Sequence, residues 1–284
     1  STEADQGWTK VISSHRGFFD IPWRDVWRYR DLILLLAKRD LSTSYKQTVL
    51  GPFWFVLQPL MVTVVFSYLF GRLGRLGTDD IPHYLFYMSG LVVWGFFAEC
   101  VNKTSRTFSE NQQVFGKVYF PRLVAPMASV LTNSIPLMIQ LGIFVIGILV
   151  YIAKGSPYVH PNWLILLTPL IFVTVAMLGL GIGCIVASLT KRFRDLVYGV
   201  QVGLQLWMFG SAIVFPLSRI SPDDRWIFFL NPIVPMVEFF RLAFVGVSLV
   251  SAKDVLFSVI TAVVALAIGV LMFNRAEQTS MDTV

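Results

Sequence analysis

Residues Leu123–Ala153 read LVAPMASVLTNSIPLMIQLGIFVIGILVYIA, and no charged side chain falls among them. A bilayer core of roughly 30 Å is crossed by about 20 apolar residues of helix, so this stretch is long enough to span. Its surroundings repeat the pattern. Upstream, Gln47–Gly71 is free of charge and Tyr84–Asn102 carries only Glu99; downstream lie Asn162–Thr190, Leu196–Ser218 and Val255–Asn274. The expected fold is all-α: a polytopic membrane protein with six transmembrane helices. Composition agrees, with 55% hydrophobic and 14% charged residues and a mean hydropathy of +0.67. Soluble domains carry about a quarter charged residues. The net charge of +6 is spread between apolar blocks rather than gathered on one polar domain. That favours anionic lipid headgroups as the partner and argues against nucleic acid. Cys100 and Cys184 lie in apolar stretches without metal-ligand spacing and read as packing residues. The polar, basic first fifty residues contain no short apolar run before a small-residue cleavage site, so the internal spans are expected to direct insertion.

One apolar region does not fit a crossing. Trp226–Ala252 is interrupted by Glu238 and Arg241, and Pro232 and Pro235 break its first half. Each uncharged half is worth only about 18 Å of helix. The expectation is a re-entrant helical hairpin between helices 5 and 6, with Glu238 and Arg241 pairing to lower the cost of their burial. On this count 16 of the 23 Lys and Arg residues fall on the side of the N-terminus and 7 on the other. The bias favours both termini in the cytoplasm; a hairpin that crossed would be a seventh span and would put the C-terminal tail outside. The resulting division is a cytoplasmic N-terminus (1–50), a transmembrane domain (51–274) and a short cytoplasmic tail (275–284).

Within the N-terminal part, Arg24–Lys46 has Val26, Tyr29, Ile33, Leu36, Ala37, Leu41 and Tyr45 at three- and four-residue steps. Arg24, Arg28, Asp31, Lys38, Arg39, Ser42 and Lys46 occupy the other side. This predicts an amphipathic interface helix over about 24–46, lying in the membrane surface. Leu50-Gly51-Pro52 then predicts a sharp turn into the first span. Between the second and third spans, Ser109 and Gln112 resemble a capping box. The helix expected from there to Phe120 presents Val114, Phe115, Val118, Tyr119 and Phe120, apolar surface suited either to lying on the membrane or to docking another protein, with docking favoured.

The fifth span carries a stripe of Tyr198, Gln201, Gln205, Met208, Ala212 and Phe215 at steps of three and four. The first span echoes it with Trp54, Gln58, Met61 and Tyr68. Such stripes serve either helix packing, through hydrogen-bonded glutamines, or a pathway wall where amides and aromatic faces meet sugar hydroxyls and C–H faces. No charge sits mid-span, as ion-coupled transporters require; Glu99 and Lys103 read as an i,i+4 surface pair. The sequence lacks a phosphate loop, an H-E-x-x-H and a G-x-S-x-G. Its acidic doublets, Asp79-Asp80 and Asp223-Asp224, fall in outer loops, and His15, His83 and His160 are scattered. No catalytic residue, metal site or cofactor is expected in the chain, and a transport function would be powered from outside it.

Several short motifs, in order, carry a resemblance: Arg39-Asp40, Tyr45 to Trp54 (YKQTVLGPFW), Gln58-Pro59, Asn111, Gly116 to Arg122 (GKVYFPR), Leu230-Asn231-Pro232, and Glu238 with Arg241. Over about residues 24–274 the chain resembles the ABC-2 type permeases of polysaccharide exporters, above all the O-antigen (Wzm-type) membrane subunits, with capsule and teichoic-acid permeases as near relatives. The resemblance implies a bacterial inner-membrane homodimer with a conduit between protomers. It further implies two copies of a separate ATPase subunit, which would hold ATP and magnesium, and a polyprenyl-pyrophosphate-linked glycan as substrate. Arg39, Lys46, Leu50 and Gly51 would lie where that substrate enters. Asn111, Phe115, Lys117, Tyr119 and Phe120 would form the coupling helix. Trp54, Gln58, Tyr68, Tyr198, Gln201, Gln205, Met208 and Phe215 would line the conduit. A permease for a small hydrophobic drug or lipid, and a membrane glycosyl- or phosphotransferase, fit the same sequence less well.

Overall fold

The computed structural model describes residues 23–46, 48–111, 120–190, 193 and 195–278, and those residues form an all-helical chain. Among the described residues five helices are long and apolar enough to cross a bilayer: Gly51–Leu73, His83–Ser105, Val124–Ala153, Trp163–Thr190 and Ala252–Ala276. The chain is an all-α, polytopic membrane protein. In chain order the elements are α1 (Trp23–Arg28), α2 (Arg30–Tyr45), α3 (Trp54–Phe66), α4 (His83–Ser105), α5 (Thr107–Glu110) and α6 (Val124–Ala153). They continue with α7 (Thr168–Thr190), α8 (Leu196–Phe209), α9 (Arg225–Phe229), α10 (Ile233–Val245) and α11 (Ala252–Gln278). A π-helical stretch, Ser67–Leu73, prolongs α3.

The central element is α4, against which α3, α6, α7, α8 and α10 pack. Leu85, Tyr87, Val93 and Phe97 on it are fully buried. The closest pair is α7 and α11, and glycine explains it. A side chain on Gly269 would strike the carbonyl of Gly181, and one on Gly181 would strike the backbone of Ala265. Gly179 and Gly183 likewise admit Cys100 and Thr104 of α4. Small residues let backbones approach where no hydrophobic force from water drives association.

The amphipathic N-terminal segment is helical as its periodicity predicts, but broken at Tyr29. Val26, Leu36 and Ala37 are buried, and Thr132 of α6 donates to the Ala37 carbonyl at 3.4 Å. The opposite face is not purely basic, because Trp27, Leu34 and Leu35 stand exposed beside Arg28, Lys38 and Arg39.

Two expectations change. The span expected over Leu196–Ser218 is helical only to Phe209, about 21 Å of helix. The apolar period runs on past the break, but the backbone does not: Ala212 has φ +54°. The freed carbonyls take side-chain donors, Asn231 on Gly210 at 3.0 Å and Arg241 on Ala212 at 2.9 Å. Ser109 is not an N-cap; it lies inside α5 and its hydroxyl returns to the Arg106 carbonyl at 2.9 Å. Gln112 lies outside the described residues.

The two ends of the bundle are distinct. At one end Phe108 stacks on Phe273 at 4.6 Å, and Val26 joins Phe273 in a buried cluster, so α1, α5 and the end of α11 meet there. At the other, loops 74–82 and 154–162 hold the segment from 216 to 251. Ser218 donates to Asp79, while the amides of His160 and Asn162 donate to the carbonyls of Val245 and Ala243, both at 3.1 Å.

Candidate functional site

Among the described residues the buried charged side chains are Glu238 and Arg241, both on α10, a helix buried over almost its whole length. Glu238 and Arg241, one turn apart, form an ion pair at 2.8 Å with both side chains almost fully buried. Three further N–H groups of Arg241 donate to Ser89 Oγ (3.2 Å), the Phe86 carbonyl (3.3 Å) and the Ala212 carbonyl (2.9 Å). Its guanidinium lies 3.8 Å from the centre of the Phe86 ring. Ser248 donates to the other oxygen of Glu238 at 2.9 Å. Gly90 leaves the room, since a methyl there would press on Arg241 Nη2. One arginine thus ties α10 to α4 and to the break after α8. The pairing was legible from the i,i+3 spacing; Ser89, Ala212 and Ser248 were not, for each is unremarkable in its own segment.

The two stripes expected to line a pathway lie on different flanks of α4. Helix α3 packs on α4 and α6, and α8 packs on α4 and α7. Only Leu204 of α8 is buried; Tyr198, Gln201 and Gln205 are exposed. Met208 is half-buried against the core. Phe215 falls beyond the helix, its ring packed edge-on against Phe228 at 5.8 Å, so the stripe ends at Met208. Tyr68 is exposed on the π-helical stretch.

Trp54 and Gln58 have another setting. With residues of α4 and α6 they line a cavity of about 480 Å³ whose polar wall comprises Gln58, Glu99, Lys103, Asn133 and Gln140. Lys103 Nζ lies 2.7 Å from Asn133 Oδ1 and 3.5 Å from Glu99 Oε1. The spacing of Glu99 and Lys103 identified that pair; the third partner, Asn133, gave no signal beyond being an amide in a charge-free span.

Of the residues expected where a substrate enters, Leu50 and Gly51 form the turn into α3, Lys46 follows the last turn of α2 and Arg39 lies within α2. Gly51 has φ +51°, a conformation that side chains resist, with Leu50 and Val49 exposed beside it. Lys46 is exposed. Arg39 binds Asp40 at 2.8 Å and reaches Asn111 Oδ1 at 3.2 Å, joining the interface helix to the loop after α4. Of the other residues expected on the coupling helix, Phe120 is buried against Leu36, Ala37 and Val124, so it packs within the chain instead of facing outward. Phe115, Lys117 and Tyr119 lie outside the described residues. Among the described residues no three His, Cys, Asp or Glu side chains gather as a metal site.

Comparison with known proteins places these elements. The chain is 27% identical to the O-antigen export system permease protein RfbA of Klebsiella pneumoniae over 248 residues, 87% of this chain and 92% of that one. It is 27% identical to the protein of the same name from Myxococcus xanthus over 269 residues, covering 92% and 98%. Against the polysialic acid transport protein KpsM of Escherichia coli it is 24% identical over 250 residues, covering 87% and 94%. The family described as ABC-2 type transporter matches residues 31–245, a stretch that takes in α2, the α3–α4–α6 cavity, α8 and the Glu238–Arg241 pair. The chain belongs to the ABC-2 type transporter family.

Proposed function

We propose that the chain is the permease subunit of a polysaccharide exporter of the bacterial inner membrane, moving a lipid-linked glycan, O-antigen above all, from cytoplasm to periplasm. The observation that carries the glycan reading is the match along nearly the whole chain to permeases named for O-antigen export and polysialic acid transport. Two such subunits would form the transporter, with the uncovered faces of α3 and α8 turned toward the partner protomer. Aromatic rings and neutral amides on those faces suit a sliding glycan. They offer many weak contacts, where a wholly apolar wall would strip hydroxyls of water without replacement. Arg39 and Asn111, in contact with each other, would link the site of substrate entrance to the loop that meets a separate ATPase. The termini would be cytoplasmic, at the end of the bundle where α1 and the end of α11 meet.

The segment α9–α10 would be a re-entrant hairpin. Helix α10 spans only about 20 Å, and both flanks of the segment bond to loops at the same end of the bundle. Cysteines replacing Arg225 and Lys253 should both react with an impermeant maleimide added from the periplasmic side; reaction from opposite sides would require another crossing.

The functional test is reconstitution in vesicles with a nucleotide-binding subunit. ATP hydrolysis and glycan uptake should appear together, and only with both subunits present. Hydrolysis by this chain alone would overturn the reading.

A further inference from the structure

Two prolines stand inside charge-free spans and face the same space. Pro59 of α3 and Pro136 of α6 both line the cavity beside α4. Proline has no N–H, so the carbonyls four residues back, those of Phe55 and Thr132, lose their helical donors. Membrane helices tolerate this where another group satisfies the freed carbonyl or the backbone lines a polar cavity. Beside them the exposed Gln58 and the half-buried Gln140 have no hydrogen-bond partner among the described residues, and each amide brings donors as well as an acceptor. A lipid tail filling this space would leave the two amides without partners.

The charge in the wall is already balanced. Lys103 is held by Glu99 and Asn133, so a phosphate or pyrophosphate arriving there would meet a carboxylate together with the ammonium. Trp54 supplies exposed apolar ring surface, while Trp94 lines the wall with its ring packed on Phe97 and Trp207. A volume of about 480 Å³ falls within the usual range for small-molecule sites. Gly95 keeps the space open: a methyl added there would sit 4.0 Å from Gln140 Oε1, with nothing closer.

From these observations we propose that the α3–α4–α6 cavity binds a neutral, polyhydroxylated ring of pyranose size, within one protomer and on the flank of α4 away from α8. Hydroxyls would answer the amides of Gln58 and Gln140, and the C–H face of the ring would lie on Trp54. The sugar belongs either to the exported glycan or to a membrane glycolipid headgroup. The first source rests on the export reading above; the site itself does not.

The test uses the full chain in lipid nanodiscs and saturation-transfer NMR with two sugar probes, maltotriose in solution and monoglucosyl diacylglycerol carried in the disc. Pyrophosphate is followed in parallel by its phosphorus line width. Saturation should reach the ring protons of at least one sugar probe. It should fall about fivefold or more in Gly95→Leu, which fills the cavity, and in Gln58→Leu with Gln140→Leu. It should persist in Gly95→Ala and in Ile146→Leu, which lies exposed on α6 outside the cavity. A maltotriose signal points to the glycan as source and a glycolipid-only signal to the headgroup; either supports the site. Sugar signals absent or indifferent to these variants would show a cavity filled by water alone and overturn the proposal. Pyrophosphate binding lost in the same variants would overturn it too. Should Gly95→Leu fail to fold, Gln58→Leu alters only an exposed amide and decides the matter alone. Normal export in a Tyr198 variant would count against the conduit and leave this site standing; unchanged sugar signals in the cavity variants would do the reverse.

Discussion

Arg241→Ala should lower the stability of the folded chain by about 3–5 kcal/mol, the cost of leaving a buried carboxylate without its partner. The loss is larger than that of one ion pair. Glu238 keeps only Ser248, the Ala212 and Phe86 carbonyls and Ser89 lose a donor, and the cation leaves the Phe86 ring. Arg241→Lys should recover little, because one ammonium cannot reproduce the planar fork that reaches two helices and a turn. Changing both partners, Arg241→Met with Glu238→Gln, should restore part of the loss by removing the buried charges together. The measurement is thermal unfolding of the purified variants in one detergent. Equal melting of Arg241→Ala and the unaltered chain would show that the charge pair is not what fastens α10 to α4.

The second large effect belongs to transport. Replacing Tyr198, Gln201 and Gln205 together by Leu should cut glycan export by about tenfold or more, a barrier increase of about 1.4 kcal/mol or greater. Basal ATP hydrolysis and assembly should change little, because all three side chains are exposed on α8 and support no packing within the protomer. If the stripe instead packs helices across an interface, the triple variant should lower the assembly's melting temperature while export per folded transporter stays normal.

Where sequence and structure agree, the reason is periodicity within one helix; where they part, the decisive partner is distant in sequence. Leu123–Ala153 announced a span because nothing in it is charged, and α6 occupies nearly that range. Val26, Leu36 and Ala37 fell on a predictable face because a helix repeats every three to four residues. The end of α8 was hidden. Gly210 to Phe215 is as apolar as the helix before it, and what stops the helix is Asn231 and Arg241, 21 and 29 residues away from the carbonyls they bind. The cavity was hidden for a similar reason. Gln58, Lys103 and Gln140 sit on three separate spans, and only packing around α4 brings them to one wall. Phe120 looked like docking surface because a loop with many aromatics invites that reading, and α2 folds back to cover it.

The central claim, that the free face of α8 touches the glycan in transit, is tested most directly by crosslinking during turnover. A photoreactive amino acid at position 205 of the reconstituted transporter, irradiated while ATP drives export of a labelled glycan, should capture the glycan; the same group at Ile146, exposed on α6, should not. Capture at both positions, or at Ile146 alone, would contradict the account.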